Sequence, residues 1–315
     1  MKKVVILGGG TGQSTLLRGL KQFPVDISAV VSVCDDGRST GRLREEFNIF
    51  AVGDIRKVIV SLAETEPLFE ELLNYRFETS SDLNGHTVGN LLLTALSSIT
   101  GNMQEGLEMV GKVLKIKGKV LPFTLDSPTL IGRMEDDSIV RGEHYITESS
   151  LKVKDVFYEN DINVNPSVLK AIKDADLIIL SMGSLYTSII PDLLSKDIIK
   201  TIDRSKAKIM YVCNMMTQPG ETDDFKVSDH VNVLNNYLGK KKIYYVIANT
   251  GRIPKPMLKK YATKEQKDKV VLDKNNLSDV KVITGNYVTI DNDTIRHKVN
   301  KLSVDIYNVL LEDGE

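Results

Sequence analysis

The N-terminal stretch of the chain constrains the fold more than any other part of the sequence. Four consecutive apolar residues, Val4 to Leu7, lead into the glycine-rich run Gly8 to Gly12, after which Leu16, Leu17 and Leu20 recur at helical spacing. An apolar run, a cluster of glycines and a helical repeat predict a buried strand, a tight turn and a helix in succession. The chain is therefore expected to begin with a strand–turn–helix unit.

This glycine turn is a candidate anion site. Glycines let another group approach the backbone closely, and the start of the helix presents unpaired N–H groups with a partial positive charge. A phosphate or pyrophosphate is the natural occupant of such a turn. Alternatively, the glycines only allow the helix to pack close to the sheet. The residues expected to contact a ligand are Gly9, Gly10, Thr11 and Gly12.

The spacing of the glycines excludes two common nucleotide motifs. In the dinucleotide fingerprint, the third glycine is replaced by Gln13 when counting starts at Gly8, and by Thr15 when it starts at Gly10. A Walker A loop is also excluded, because Gln13 stands where a Gly-Lys pair is needed. We therefore expect no NAD.

A pair of acids follows the second predicted strand. The strand Ile27 to Val33 leads into Asp35, Asp36 and Gly37. Short apolar runs that alternate with helical stretches indicate a parallel α/β sheet, in which ligands bind at the carboxyl ends of strands. Asp35 and Asp36 are thus candidates to hold Mg²⁺, or to bind ribose hydroxyls. The alternative is a simple Asx turn.

Two further polar clusters lie in the first third of the chain. Arg38, Arg42 and Arg44 share a glycine-punctuated loop, where guanidinium groups can bind phosphate bidentately or can line a solvated helix start. In the segment LNGHTVGNLLL, His86 and Asn90 lie four residues apart, which places them on one face if the helix has begun by His86. His86 is a candidate acid–base group or ligand contact, although a lone histidine is more often structural.

Two later strands carry polar loops at their ends. Leu177 to Leu180 is followed by Ser181 to Ser184, and Lys208 to Cys213 is followed by Asn214 to Thr222. Because parallel strands end at one edge of the sheet, these loops and the first glycine turn are expected to form one pocket. The residues expected to contact a ligand there are Gly183, Ser184, Asn214, Thr217 and Gln218.

The domain organisation predicted from the sequence is a single α/β domain over residues 1–315. Residues 112–150 change character, with Pro, Gly and paired Asp residues between short alternating segments, which suggests inserted β-hairpins. Within this segment, Arg141 and His144 are interpreted as surface residues.

Composition narrows the classes of partner. Lys and Arg number 41 and Asp and Glu 42, for a net charge of -1, so no global field favours nucleic acid or an anionic membrane. No apolar run approaches the roughly 18 residues of a membrane span, and the N-terminus lacks a signal-peptide pattern. A cytoplasmic protein is therefore expected. The two cysteines, Cys34 and Cys213, are interpreted as buried apolar residues.

Taken together, the motifs resemble the bacterial gluconeogenesis factor family, which shares a fold with archaeal 2-phospho-L-lactate transferase. The matching segments are GGGTG, DDGRSTGRLRE, GDIRK, GHTVGNLLL, GSLYTSIIPDLL, CNMMTQPGET and the C-terminal IRH. The resemblance implies a cytosolic three-layer α/β/α protein with a Rossmann-like sheet. It also implies binding of UDP-sugars, notably UDP-N-acetylglucosamine, with contributions from Tyr261 and Arg296.

Three functions from different classes remain open. In the first, which the resemblance implies, the protein is a regulatory UDP-N-acetylglucosamine-binding protein affecting gluconeogenic carbon use, cell-wall precursor supply and cell shape, with a homodimer and a regulatory protein partner expected. In the second, it is a transferase that moves a phosphate-containing group from a nucleoside diphosphate donor to a hydroxyl, with Asp35, Asp36 and His86 as catalytic residues. The third, an NAD-linked dehydrogenase, is disfavoured by the glycine spacing.

Overall fold

The structure is a computed structural model that describes residues 1–312. The side chain of Arg38, which we expect to bind phosphate, lies outside the described part. The strands are β1 (Lys2–Gly8), β2 (Val25–Val31), β3 (Lys119–Pro122), β4 (Leu130–Met134), β5 (Ile139–Arg141), β6 (Val153–Tyr158), β7 (Leu177–Leu180), β8 (Lys208–Val212), β9 (Ile243–Asn249), β10 (Lys281–Gly285), β11 (Val288–Asp291) and β12 (Thr294–His297).

Helices connect most of these strands. They are α1 (Gly10–Leu20), α2 (Arg38–Phe47), α3 (Gly53–Leu62), α4 (Pro67–Asn74), α5 (Val88–Thr100), α6 (Met103–Val113), α7 (Glu143–Glu148), α8 (Pro166–Asp174), α9 (Lys196–Arg204), α10 (Val227–Tyr237), α11 (Lys255–Lys260) and α12 (Val299–Glu312). A π-helical turn (Leu185–Ile189) and a 3₁₀ turn (Ile190–Leu193) follow β7. No helix within residues 1–312 is both long enough and apolar enough to cross a membrane.

The main sheet has seven parallel strands in the order β10-β9-β8-β7-β1-β2-β3, counted over residues 1–312. Its strands are buried on both faces, because alternate side chains feed two different cores. Val4 and Ile6 of β1 pack with Leu17 of α1, whereas Val5 and Leu7 pack in the core that includes α8, α9 and α10. The predicted three-layer α/β/α fold with a mainly parallel sheet is thus confirmed.

The strand order fixes where a ligand can enter. From β1 the chain builds outward through β2 to β3, and then returns to place β7 on the other side of β1. The loops after β1 and β7 therefore diverge to opposite faces and leave a crevice between them. In open α/β sheets this switch point is where ligands bind.

The β-rich insertion differs from the prediction in its bounds. Strand β3 pairs in parallel with β2 and belongs to the main sheet, although it lies within the predicted 112–150 segment. The antiparallel unit is instead the sheet β5-β4-β6, and its last strand ends at Tyr158. The sequence pattern does not reveal this main-sheet strand, because it has only four residues, starts at a lysine and ends at Pro122. A proline is tolerated there because the strand lies at the edge of the sheet.

Gly12 shows how closely the first two loops of the crevice pack. A Cβ atom at Gly12 would lie 1.9 Å from the carbonyl oxygen of Met182, which is backbone and cannot rotate away. Gly106, in α6, has no atom closer than 3.5 Å to the corresponding position. Both glycines lie in helices, and they form a matched pair for substitution.

We predict opposite effects of alanine at these two positions. Gly106→Ala should raise the free energy of unfolding by roughly 0.4–1 kcal/mol, because it reduces the freedom of the unfolded chain. Gly12→Ala should lower it by about 1–3 kcal/mol, because it overpacks a closely packed contact. Urea unfolding of both variants measures the difference, and a Gly12→Ala variant as stable as Gly106→Ala would contradict the observed packing.

Candidate functional site

The turn after β1 exposes backbone donors at the crevice. Helix α1 begins at Gly10, within the glycine run, and Gly9 precedes it in an extended conformation without a capping side chain. Gly10 has a φ of 65°, which favours glycine. Thr11 and Gly12 therefore lie in the first helical turn, where N–H groups have no partner within the helix. The arrangement is suited to an anion.

Gln13 explains why the third glycine of a dinucleotide motif is absent. Its buried amide donates to the carbonyl oxygens of Ile6, at 2.9 Å, and Val30, at 2.8 Å. It thus ties the start of α1 to both β1 and β2. The side chain has a structural role here that a glycine cannot fulfil.

Asp192 joins the two halves of the crevice from beneath. This fully buried carboxylate, in the 3₁₀ turn after β7, accepts the N–H of Gly8 at 2.8 Å. Burial raises the pKa of its carboxyl well above the ordinary value. The glycine turn after β1 is therefore held by the segment that follows β7.

A buried carboxyl group occupies the turn after β7. Glu221 accepts hydrogen bonds from the hydroxyl of Ser184, at 2.6 and 2.8 Å to its two oxygens, and from the N–H of Tyr186 at 3.1 Å. The amide of Gln218 donates to it at 2.6 Å, and burial raises the pKa of the carboxyl. The turn after β7, where Gly183 and Ser184 are expected to contact a ligand, therefore binds a carboxyl group of the chain itself.

Other predicted ligand residues also hydrogen-bond to the protein. The amide of Asn214 pairs with the backbone of Gly183, accepting its N–H at 3.0 Å and donating to its carbonyl at 2.6 Å. Thr217 is buried and its hydroxyl accepts the N–H of Asp268 at 2.8 Å. These side chains fix the shape of the loops at the carboxyl edge.

A cavity of about 610 Å³ lies between these loops, and we call it the edge cavity. It brings together nine of the predicted ligand residues. They are Thr11, Gly12, Gly183, Ser184, Asn214, Thr217, Gln218, Tyr261 and Arg296. The loops after β1, β7 and β8 thus form one pocket, as the sequence predicted.

The hairpin of β11 and β12 closes one side of the edge cavity. Tyr261 is buried and lines the cavity. Its hydroxyl accepts the N–H of Ile295 at 2.9 Å, which anchors the hairpin. Arg296, the next residue, is exposed at the cavity. The two residues named by the family resemblance therefore lie together, although they are far apart in the sequence.

The acids near the first glycine turn are Asp35 and Asp54 rather than Asp35 and Asp36. A Cβ atom at Gly9 would lie 2.8 Å from the carboxylate of Asp54, and burial together with the charge of Asp54 raises the pKa of Asp35. Asp36 instead accepts the N–H of His144 at 2.9 Å, in the first turn of α7. Asp54 lies in the first turn of α3, which begins at Gly53.

A divalent cation fits this pair only if a ligand supplies further oxygens. No cluster of three or more His, Cys, Asp or Glu residues able to hold a metal occurs in the described chain. Mg²⁺ commonly binds one or two carboxylates together with substrate phosphates and waters. Asp54 and Asp35 suit that arrangement, because Asp54 lies against the turn at which a phosphate is expected and Asp35 lies near Asp54.

His86 and Asn90 lie in a buried network away from the edge cavity. The Nδ1 atom of His86 is 2.8 Å from the hydroxyl oxygen of Ser39, and Asn90 accepts from the guanidinium of Arg56 at 3.0 Å. Neither residue lines the cavity. Their contacts connect α2, α3 and α5. His86 therefore has a structural role here, as a lone histidine more often does.

The remaining predicted residues have ordinary surroundings. Cys34 and Cys213 are buried free thiols, as predicted. Arg141 is exposed and pairs with Glu159, and His144 is half-buried beside Glu148. Arg141 is therefore a surface residue, whereas His144 also contributes its backbone to the Asp36 contact.

The sequence matches, over residues 4–288, a family model described as 2-phospho-L-lactate transferase CofD. A gluconeogenesis factor from Halalkalibacterium halodurans is 44% identical over 305 residues, which are 96% of this chain and 94% of that protein. A gluconeogenesis factor from Bacillus subtilis is 43% identical over 313 residues, 98% of each chain. A crystal structure of a Bacillus halodurans protein superposes with a TM-score of 0.94 at 44% identity, covering 97% of this chain and 99% of that one.

The raised pKa of Asp35 predicts how stability depends on pH. A carboxyl whose pKa is higher in the folded than in the unfolded state costs stability once it ionises, and this cost disappears at low pH. Without divalent cations, Asp35→Asn should therefore be more stable than the wild type at neutral pH, and the difference should vanish as pH falls through the ordinary carboxyl range.

Asp203→Asn is the matched control with the opposite sign. Backbone N–H groups of Lys241 and Lys240 donate to Asp203 and lower its pKa, so its ionised form stabilises the fold. This variant should be less stable at neutral pH and should approach the wild type in acid. Melting temperatures measured across pH test both variants. If Asp35→Asn is less stable than the wild type at neutral pH, as expected for Asp203→Asn, the pKa of Asp35 is not raised in the folded protein.

Proposed function

The chain belongs to the gluconeogenesis factor family, and on that premise we propose that it binds UDP-N-acetylglucosamine in the edge cavity as a regulatory ligand. The observation that carries the proposal is the position of the cavity. It lies at the switch point between β1 and β7, and unpaired N–H groups of α1 and the guanidinium of Arg296 border it. The volume of about 610 Å³ is within the usual range for small-molecule sites.

The diphosphate is assigned to the α1 end of this cavity. There, backbone donors, the helix dipole and Arg296 all favour negative charge. The turn after β7 is not assigned to the diphosphate, because the carboxyl group of Glu221 already accepts the hydroxyl of Ser184 and the N–H of Tyr186. The uridine and sugar are assigned to the side lined by Gln218 and the ring of Tyr261, which offers an apolar face.

We propose that the protein binds UDP-N-acetylglucosamine without turning it over. The polar side chains of Ser184, Asn214 and Thr217 are engaged by the protein, so they shape the cavity rather than supply an acid or base. We further propose that bound ligand is read by a protein partner in the cytoplasm, with output in gluconeogenic carbon use, cell-wall precursor supply and cell shape, and that the protein acts as a homodimer.

A second candidate function is a phosphate-group transferase that depends on Mg²⁺. The placement of Asp35 and Asp54 beside the glycine turn favours it, as does the description of the matched family model. In this case the two carboxylates would hold Mg²⁺, which would supply positive charge for the phosphate oxygens of the donor. Asp36 has no part in this arrangement, because it binds the start of α7.

Arg296→Ala tests the assignment of the diphosphate. Loss of a charge-assisted phosphate contact should cost roughly 1.5–3 kcal/mol of affinity, or about tenfold to a hundredfold in Kd. Stability should change by less than about 1 kcal/mol, because Arg296 is exposed and has no carboxylate partner within residues 1–312. Calorimetric titration with UDP-N-acetylglucosamine measures the effect.

Arg141→Ala is the control, since Arg141 is also exposed but lies outside the cavity. It should bind with wild-type affinity. NAD, titrated in parallel, should bind more weakly than UDP-N-acetylglucosamine. If Arg296→Ala binds as tightly as Arg141→Ala, the diphosphate does not lie at the α1 end.

The role of the acids is tested by a pair of Asp→Asn variants. If Mg²⁺ joins the ligand to Asp35 and Asp54, added Mg²⁺ should increase the affinity of the wild type and of Asp36→Asn, but not of Asp54→Asn. The Asn at position 36 keeps an oxygen for the N–H of His144, so the control should remain folded. Titrations with Mg²⁺ and with EDTA distinguish the outcomes, and equal Mg²⁺ dependence in all three proteins would exclude Asp54 as a metal ligand.

A further inference from the structure

A second cavity, which we call the basic cavity, lies on the other side of strand β12. Its volume is about 740 Å³, and it shares Thr11, Thr15, Arg296 and His297 with the edge cavity. Its remaining walls come from α1, α3, the end of α4, strand β11 and the start of α12. The two cavities therefore adjoin, and Arg296 and His297 of β12 line both of them.

The charges that line the basic cavity are strongly unequal. Four basic residues face one carboxylate, that of Asp291, and they are Arg18, Lys57, Arg296 and Lys298. His297 adds no charge, because burial lowers the pKa of its imidazole to about 4. The cavity is thus positive although the whole chain has a net charge of only -1.

Half of this positive charge has no internal partner. Arg18 pairs with Glu70, and Lys57 pairs with Asp54 at 2.8 Å. Arg296 and Lys298, in contrast, have no ion pair with any carboxylate in the part of the chain described. Two unpaired cations around a concave site, backed by two further cations, attract a compact anion with more than one negative charge.

We propose that the basic cavity binds a small phosphate monoester, and that this ligand antagonises the binding of the nucleotide sugar in the edge cavity. The first part is independent of the function proposed above, whereas the coupling rests on it. The volume exceeds what inorganic phosphate needs and leaves room for a short polar carbon chain. The hydroxyl and amide side chains of Thr289 and Asn300 suit such a chain.

The antagonism follows from the shared guanidinium. Arg296 lines both cavities, so two anionic ligands would draw on one cation and repel each other. Each ligand should therefore raise the Kd of the other by the same factor. We expect a factor of roughly 5 or more, which is typical of coupled sites. Because the sites are distinct, the effect should saturate.

The test uses glycerol 3-phosphate as the probe, with inorganic phosphate as a second arm. Thermal shifts give the affinity of each probe, and calorimetry gives the Kd of UDP-N-acetylglucosamine at increasing probe concentration. We expect glycerol 3-phosphate to bind more tightly than inorganic phosphate, and the apparent Kd of the nucleotide sugar to rise to a plateau. A rise without a plateau, which indicates competition for one site, would overturn the proposal, as would no stabilisation by either probe.

Lys298→Gln and Lys301→Gln form the matched pair of variants. Lys298 is exposed and lines only the basic cavity, whereas Lys301 lies three residues further along, pairs with Asp305 and lines neither cavity. Lys298→Gln should weaken glycerol 3-phosphate binding about tenfold. Lys301→Gln should bind like the wild type. Equal affinity of the two variants for glycerol 3-phosphate would show that the probe does not bind in the basic cavity.

The outcomes also separate this inference from the proposed function. If UDP-N-acetylglucosamine does not bind, but glycerol 3-phosphate stabilises the wild type and not Lys298→Gln, the nucleotide-sugar proposal fails and the basic cavity stands. If the nucleotide sugar binds and glycerol 3-phosphate has no effect on the wild type, the proposal for the basic cavity fails and the nucleotide-sugar proposal stands.

Discussion

The contact on which the rest of the site depends is the packing of α1 against the backbone of the loop after β7. At Gly12, any side chain would meet the carbonyl oxygen of Met182 at 1.9 Å. The absence of that side chain lets two strand–loop–helix units approach each other at the switch point of the sheet, while the helices continue on opposite faces. The donors of the α1 N-terminus and the hairpin that carries Arg296 then border one cavity.

Two buried carboxylates hold these loops together, and they determine which polar groups remain for a ligand. Asp192 binds the N–H of Gly8, and Glu221 binds the hydroxyl of Ser184 and the N–H of Tyr186. Burying such groups is costly unless they are hydrogen-bonded, so their presence indicates a fixed arrangement of the loops. The turn after β7 thus has its hydroxyl and N–H donors taken by the chain itself. The proposed diphosphate is therefore assigned to α1, whose first N–H groups have no partner within the helix.

Much of this architecture can be predicted from the sequence, because it is encoded locally. The apolar run Val4–Leu7 and the glycines after it predict a strand and a turn, and parallel topology brings the ends of such strands together. What the sequence does not reveal is which side chains those loops use for each other. Asp192 contacts a residue 184 positions away, and Glu221 reaches Ser184 across 37. Asn214 and Thr217, which we expect to contact a ligand, line the edge cavity and also bind backbone. The backbone contacts are not evident from the sequence, because polar loop residues serve both purposes.

Hydrogen–deuterium exchange with and without UDP-N-acetylglucosamine tests the central claim most directly, because it locates the ligand along the chain. We predict slower exchange of the amides in residues 10–15 and 294–297, which border the edge cavity, and unchanged exchange in residues 104–121 on the opposite edge of the sheet. Protection confined to residues 104–121, or to the turn after β7 without α1, would contradict the assignment of the ligand to the switch-point crevice.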